Sequence, residues 1–447
     1  MAAPARMDAQ ADPSFAEILA LRPHLAMAPE SGLMVEGVPL ARIAAEHGTP
    51  TWVYAASTIA GRYRALASAL AEAGLAARIH YAMKANDALA IVRLLAALGA
   101  GADVVSGGEF HLARAAGIAP PDIVFSGVGK TEDELRAALA AGVGQINVES
   151  AEELAMLDAL ATSMGRSAPV ALRVNPDVDA GTHAKITTGR AENKFGIPIG
   201  EAPALYARAA GSRGLRVRGV AVHIGSQITA LAPFRAAYAR LAELVRALRA
   251  EGLPVERIDC GGGLGIPYRD EPAPSADAFA HLLRETLGPL GVTLMLEPGR
   301  WLVGPAGLLL ARVVLEKHGT SRRFVILDAA MNDLIRPALY EAWHAIVPVA
   351  ATRWHAPATP ADVVGPVCES GDTFATARML PALPPGELVA ILDTGAYGAV
   401  MSSTYNARPL AGAVMVRAGE AAVIRRRQAV EALIAQDVIP HWLASGR

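Results

Sequence analysis

Eight short runs rich in Val, Ile and Leu, each parted from the next by an Ala- and Leu-rich stretch, recur from about residue 78, and this alternation constrains the fold most. The runs are RIHYAMKA (78–85), ADVVS (102–106), IVFSG (123–127), QINVES (145–150), VALRVNP (170–176), VRGVAVHIG (217–225), RIDCGGG (257–263) and TLMLEP (293–298). Strands alternating with helices form a parallel sheet with helices laid against it, and eight such units suit a closed (β/α)8 barrel. Segments 132–141, 151–162, 202–210 and 233–250 place Ala, Leu and Val at helical spacing with charges between them. Gly142, Gly211 and Gly252 sit where those helices would stop. The stretch 175–198 has no periodicity, and a loop of that size in a compact domain reads as a functional lid.

After about residue 305 the rhythm changes to strands without helices between them: LLLARVVLEK, RRFVILDA, AIVPV, DVVGPV, ELVAILD, AGAVMVR and EAAVIRRR. This predicts a second, all-β domain. The expected organisation is a barrel over 55–305, a β domain over 306–430 joined by strands from 28–54, and an N-terminal extension over 1–27, expected to be disordered.

A chain of 447 residues with 52% hydrophobic and 19% charged residues can bury a large core. Its formal net charge of −2 provides no basic field, which argues against nucleic acid and anionic lipid and favours a small-molecule substrate. The first residues are broken by Pro4 and Pro13 and lack the apolar core of a secretory signal. The apolar stretch 305–315 is interrupted by Gly307 and Arg312 and falls short of the roughly 18 residues a bilayer requires. A cytoplasmic protein is expected. Two cysteines, Cys260 and Cys368, stand without metal-like spacing, so neither a disulfide framework nor a metal site is expected.

Reactive groups of such barrels sit at the C-terminal ends of the strands, and the polar residues there form a coherent set. Lys84 closes an apolar run, where desolvation would lower its pKa and supply the neutral amine that Schiff-base chemistry needs. Gly261, Gly262, Gly263 and Gly265 follow the seventh strand, a usual phosphate position, and let backbone N–H groups approach an anion. They fit neither dinucleotide nor P-loop spacing. Glu297, after the eighth strand, could keep a pyridine nitrogen protonated, although an ion pair with Arg300 is the plainer reading. His223 could stack on a planar ring, although a strand-end histidine is more often a hydrogen-bonded core residue.

Nine motifs then appear in family order: YAMKAN (81–86), DVVSGGE (103–109), ENKFGI (192–197), HIGSQ (223–227), GGGLG (261–265), EPGR (297–300), MNDLIRPALY (331–340), CESGD (368–372) and DTGAYG (393–398). In these the chain resembles the fold-type III pyridoxal-phosphate decarboxylases, whose barrels are related to that of alanine racemase. The resemblance implies that Lys84 carries pyridoxal 5'-phosphate, His223 stacks on its ring and Glu297 bonds the ring nitrogen. It further implies that Asp103, Ser226, Gly262, Gly263, Gly265, Gly299, Arg300 and Tyr397 surround the cofactor. Substrate would be held by Arg300, Arg336, Tyr340, Glu369 and Tyr397, with Cys368 as proton donor and Glu369 assisting it. Cys368 and Glu369 would come from the partner subunit, so a homodimer is implied; packing in a β strand is the plainer reading of Cys368.

The expected reaction is decarboxylation of meso-2,6-diaminopimelate to L-lysine, because two arginines in separate motifs suit a substrate with a second carboxylate. Ornithine, arginine or a polyamine precursor is the alternative within the family. A non-catalytic cofactor-binding protein is the alternative of another class, and it would be expected to lack Lys84, Cys368 or a carboxylate-binding arginine, all of which are present. The chain departs from the family at Thr404 and at Ala329-Ala330, and in an N-terminal segment without family motifs.

Overall fold

The computed structural model describes residues 12–181 and 194–444. Eight parallel strands form the barrel: β1 (Ala77–Ala82), β2 (Gly101–Val104), β3 (Ile123–Phe125), β4 (Gln145–Val148), β5 (Ala168–Asn175), β6 (Leu215–Val222), β7 (Arg257–Asp259) and β8 (Thr293–Leu296). Pairing of Leu296 with Ile79 joins β8 to β1, while Val148 pairs with Leu172 across β4 and β5, so the sheet closes on itself. Every predicted barrel run overlaps one of these strands. They read as continuous apolar runs because a closed parallel sheet is covered on both faces.

The helices between them start where short polar side chains can satisfy free backbone N–H groups. Thr131 and Glu134 form a reciprocal capping box at helix Glu132–Ala141, and Ser106, Ser150 and Ser275 each accept from the N–H three residues on. Gly142 ends its helix at φ 81°, and Gly252 follows another at φ 78°. Gly211 is the last residue of helix Ala202–Gly211, which stops there as expected.

The β domain is built from β9 (Gly307–His318), β10 (Arg323–Leu327), β11 (Ile346–Pro348), β12 (Ala358–Val364), β13 (Thr373–Pro381), β14 (Leu388–Ile391), β15 (Gly412–Arg417) and β16 (Glu420–Arg425). Strand Thr51–Ala55 runs through the middle of this sheet, antiparallel to β9 and parallel to β15. The sequence reading missed β13. Its Thr-Ala-Arg pattern is weakly apolar, and two register shifts in its pairing with β12 break the alternation that reveals a strand.

The expectation of a disordered N-terminal extension is corrected for the residues described. Phe15–Ala20 is a helix capped by Ser14 and Glu17, and Leu25–Ala28 begins a three-stranded sheet. Arg22 is buried against Asp393 of the β domain, with Nε 2.9 Å from Oδ2, and its Nη2 donates to the Tyr268 carbonyl at 3.0 Å. One buried cation therefore ties the N-terminus to both domains. Residues 1–11 lie outside those described, as do Glu192 and Asn193 and half of the stretch expected to form a lid.

Breaking a buried ion pair strands a charge, whereas replacing both partners by apolar groups does not. Arg22→Ala should therefore cost about 3–5 kcal/mol, seen as a lower urea midpoint. Arg22→Met with Asp393→Leu should recover a large part of that loss, and equal losses in the two variants would contradict the stranded-charge account.

Candidate active site

A cavity of about 520 Å³ opens at the C-terminal mouth of the barrel, and Lys84, Asn147, His223, Asp259, Glu297 and Arg300 are among its walls. Lys84 sits on a 3₁₀ turn directly after β1, which turns its side chain over the mouth. Its Nζ donates to Oδ2 of Asp103, the buried third residue of β2, at 2.9 Å.

The expected depression of the Lys84 pKa is overturned. Burial does act against its charge, but Asp103, Glu297 and Tyr397 outweigh it and push the ammonium above its ordinary value. Position at a strand end was the wrong guide, because the neighbours on β2 and β8 decide the sign.

Those neighbours form a buried carboxyl cluster. Burial, then Asp103 and Asp259, raise Glu297 well above the usual carboxylate range, and burial likewise raises Asp259. Glu297 and Asp259 share a hydrogen bond, which requires a proton on one of them. Asn147 Nδ2 donates to Asp259 at 3.0 Å, and the Gly261 N–H donates to its other oxygen at 3.0 Å. Oδ1 of Asp103 is buried without a hydrogen-bond partner. Three carboxyls around one ammonium leave a negative excess that suits a cationic heterocycle.

Across the cavity His223, just past β6, accepts from the Gly262 N–H at Nδ1, 3.2 Å away. Burial, then Lys84 and Arg173, hold its pKa well below the ordinary value, so the ring is a neutral imidazole protonated at Nε2.

The glycine run has a structural reason beyond access for an anion. A Cβ on Gly261 would lie 2.2 Å from the Val222 carbonyl oxygen, one on Gly262 2.2 Å from that of Glu297, and one on Gly263 2.4 Å from that of Gly225. Gly261 and Gly263 also take φ of 67° and 99°. The loop is thus wedged between the ends of β6 and β8, with Ile228 N–H donating to the Gly263 carbonyl at 2.9 Å.

Arg300 does not pair with Glu297. Its Nη2 donates to Ser226 Oγ at 3.0 Å, its Nη1 donates to the Tyr268 hydroxyl at 2.6 Å, and its guanidinium lies 4.7 Å from the Tyr397 ring centroid. Tyr397 is tied to the lysine turn by its own N–H, which donates to the Ala85 carbonyl at 2.8 Å. A second cavity of about 440 Å³ shares Arg300 and Tyr340 with the first and adds Arg336 and Tyr268. Arg300 and Arg336 are both buried, and among the described residues neither is paired with a carboxylate.

Cys368 and Glu369 stand apart from both cavities. They are exposed on the loop between β12 and β13, where Cys368 N–H donates to Asn406 and Glu369 accepts from the Tyr405 hydroxyl at 3.2 Å. Cys368 is therefore not packed in a strand, whereas Cys260 is the buried hydrophobe that its type suggests. Sequence reasoning passed over Asp259, Asn147, Arg173 and Tyr268. The first three had one available signal, a polar residue set within a barrel strand.

A (β/α)8 barrel with a lysine at its mouth, facing a carboxyl cluster and a neutral histidine, defines a class of Schiff-base enzymes that use an aldehyde cofactor. Residues 56–304 match the family described as pyridoxal-dependent decarboxylase, pyridoxal binding domain. Over 417 residues the chain is 48% identical to the diaminopimelate decarboxylase of Zymomonas mobilis, covering 92% of this chain and 98% of that one. It is 51% identical over 412 residues to the one from Pseudomonas aeruginosa, with 91% and 97% covered. The crystal structure of the Helicobacter pylori enzyme complexed with L-lysine matches with a TM-score of 0.86 at 40% identity, covering 89% of this chain and 98% of that one. That from M. jannaschii, also with L-lysine, matches at 0.88 and 36%, covering 94% and 98%. The chain belongs to the pyridoxal-dependent decarboxylases and, within them, to the diaminopimelate decarboxylase family. Its cofactor is pyridoxal phosphate.

Removing the Asp103 charge should leave burial to dominate at Lys84 and lower its pKa. In cofactor-free protein near pH 8, Asp103→Asn should raise the rate of Lys84 acetylation by at least about tenfold, read by peptide mass spectrometry. A rate no higher than in the unaltered protein would remove Asp103 from this role.

Proposed function

We propose that this protein removes one carboxylate from meso-2,6-diaminopimelate to give L-lysine and carbon dioxide. The observation that carries the choice of substrate is the pair Arg300 and Arg336, two buried guanidiniums without carboxylate partners beside the lysine cavity. A buried unpaired charge is costly, and a substrate with a second carboxylate would neutralise it through forked hydrogen bonds. Ornithine and arginine have no such group.

When bound, pyridoxal phosphate supplies an electron sink for the bond to the departing carboxylate. Lys84 offers the amine that exchanges with the substrate amine, and Asp103 stabilises positive charge on that nitrogen. Glu297 would hold a proton against the ring nitrogen, and His223 would present the face of its neutral ring. Ser226, Gly262, Gly263, Gly265, Gly299 and Arg300 with Tyr397 would hold the phosphate end. Arg300, Arg336 and Tyr340 receive the far carboxylate, and Glu369 of the partner subunit receives the far ammonium.

Cys368 then gives its proton to the carbon that has lost carbon dioxide, assisted by Glu369. Both are exposed and outside the cavities of their own chain, which supports a homodimer whose second subunit brings this loop over the barrel mouth. A cytoplasmic location belongs to the same proposal.

Borohydride reduction followed by peptide mapping should label Lys84, and Lys84→Ala should abolish both the label and the visible absorbance; label elsewhere would sink the assignment. Cys368→Ala should keep the absorbance and lose at least about a hundredfold in turnover. Mixing inactive Lys84→Ala and Cys368→Ala proteins under exchange conditions should restore about a quarter of the activity, because half the subunit pairs then hold one complete site. No recovery despite proven exchange would exclude a shared site.

A further inference from the structure

His344 lies in the β domain directly before β11 and is buried, yet it touches neither the lysine nor the carboxyl cluster. Both ring nitrogens are committed. Nδ1 lies 2.8 Å from the Leu392 carbonyl, which can only accept, so Nδ1 carries the proton. Nε2 is therefore the lone-pair side, and it accepts from Nη1 of Arg336 at 2.9 Å.

Around Arg336 the described residues offer no carboxylate partner, and burial and the neighbouring Arg300 both act against its charge. Its guanidinium lies 4.7 Å from the Tyr268 ring centroid, and that ring in turn meets His344 edge-on at 5.2 Å. Nε of Arg336 is buried without a partner. Burial and then Arg336 hold the His344 ring well below its ordinary pKa, with Arg300 and Arg378 adding to this from two further elements. Nη1 of Arg378 donates to the His344 backbone carbonyl at 2.9 Å, which fixes the residue from β13.

A carboxylate at this place would hold Arg336 equally well but would neutralise it. An imidazole lone pair orients the guanidinium and leaves its charge in place. We propose that His344 is a positioning residue that aims Arg336 at the far carboxylate of the substrate through a neutral acceptor. It sets the preference for substrates and products that carry that carboxylate. This rests on the reading of Arg336 given above.

The product L-lysine keeps the far carboxylate, and 1,5-diaminopentane is the same molecule without it. The ratio of their inhibition constants therefore reads the carboxylate alone, and a general loss of folding or of cofactor would leave that ratio unchanged. His344→Leu removes the acceptor and should shrink the preference for L-lysine by about tenfold while the visible cofactor absorbance is retained. His344→Gln restores a neutral acceptor on a side chain of similar reach and should keep most of the preference.

Arg336→Lys is the reference and should reduce the preference at least as much as His344→Leu. If Arg336→Lys reduces it and His344→Leu does not, the positioning role is overturned while the substrate reading stands. If Arg336→Lys leaves it unaltered, the substrate reading fails first. If His344→Gln loses as much as His344→Leu, the acceptor is not what matters, and the proposal fails on that ground.

Discussion

Closure of the barrel by β8 on β1 is the constraint on which the site depends. Pairing of Leu296 with Ile79 sets the ends of these strands side by side, and the Ala82 N–H bonded to the Pro298 carbonyl extends the seam beyond the regular ladder. Lys84 follows one strand and Glu297 the other, so a single register places amine and carboxyl at one mouth. A slip of one residue would turn their side chains to opposite faces. The glycines after β7 are part of the same seam, since Gly262 packs against the Glu297 backbone too closely for any side chain.

That geometry creates an electrostatic problem. Asp103, Asp259 and Glu297 are buried together, and among the described residues Lys84 is the one ammonium beside them, so the cluster keeps a proton that exposed carboxyls would release. As proposed, Glu297 would offer a pyridine nitrogen a carboxyl that already has a reason to share a proton, and Asp103 would favour positive charge on the Lys84 nitrogen. On the proposed reading, one cluster would serve both binding and activation of the ring.

Much of this was legible in the sequence because it depends on periodicity and strand ends. Eight apolar runs gave away the barrel, and Lys84, His223 and Glu297 were recognisable as polar residues closing or following three of them. The charge on Lys84 was not legible, since it is set by Asp103 on another strand, nineteen positions away. Residues from distant segments that meet only in the fold were equally hidden. Arg22 beside Asp393 and Arg336 against His344 and Tyr268 have no local pattern. β13 was missed for a different reason, because bulges erased the alternation that would have revealed it.

The two domains divide the work, and a small number of backbone contacts hold the division together. Lys84, Glu297 and the glycines come from the barrel, whereas Arg336, Tyr340 and Tyr397 come from the chain after it. The loop carrying Tyr397 is pinned to the lysine turn by Asn86 donating to the Gly395 carbonyl at 2.9 Å and by the Tyr397 N–H on Ala85. Gly395 is required there, since a Cβ would lie 1.9 Å from the Val303 carbonyl oxygen. A shift of the β domain would therefore move Arg336 and the lysine turn together, and on the proposed reading would preserve the spacing between reacting amine and far-end recognition. If, as proposed, reaction chemistry is fixed by one domain and substrate length is measured from the other, such a rigid joint is needed, because misplacement by about 1 Å at either end can cost two orders of magnitude in rate.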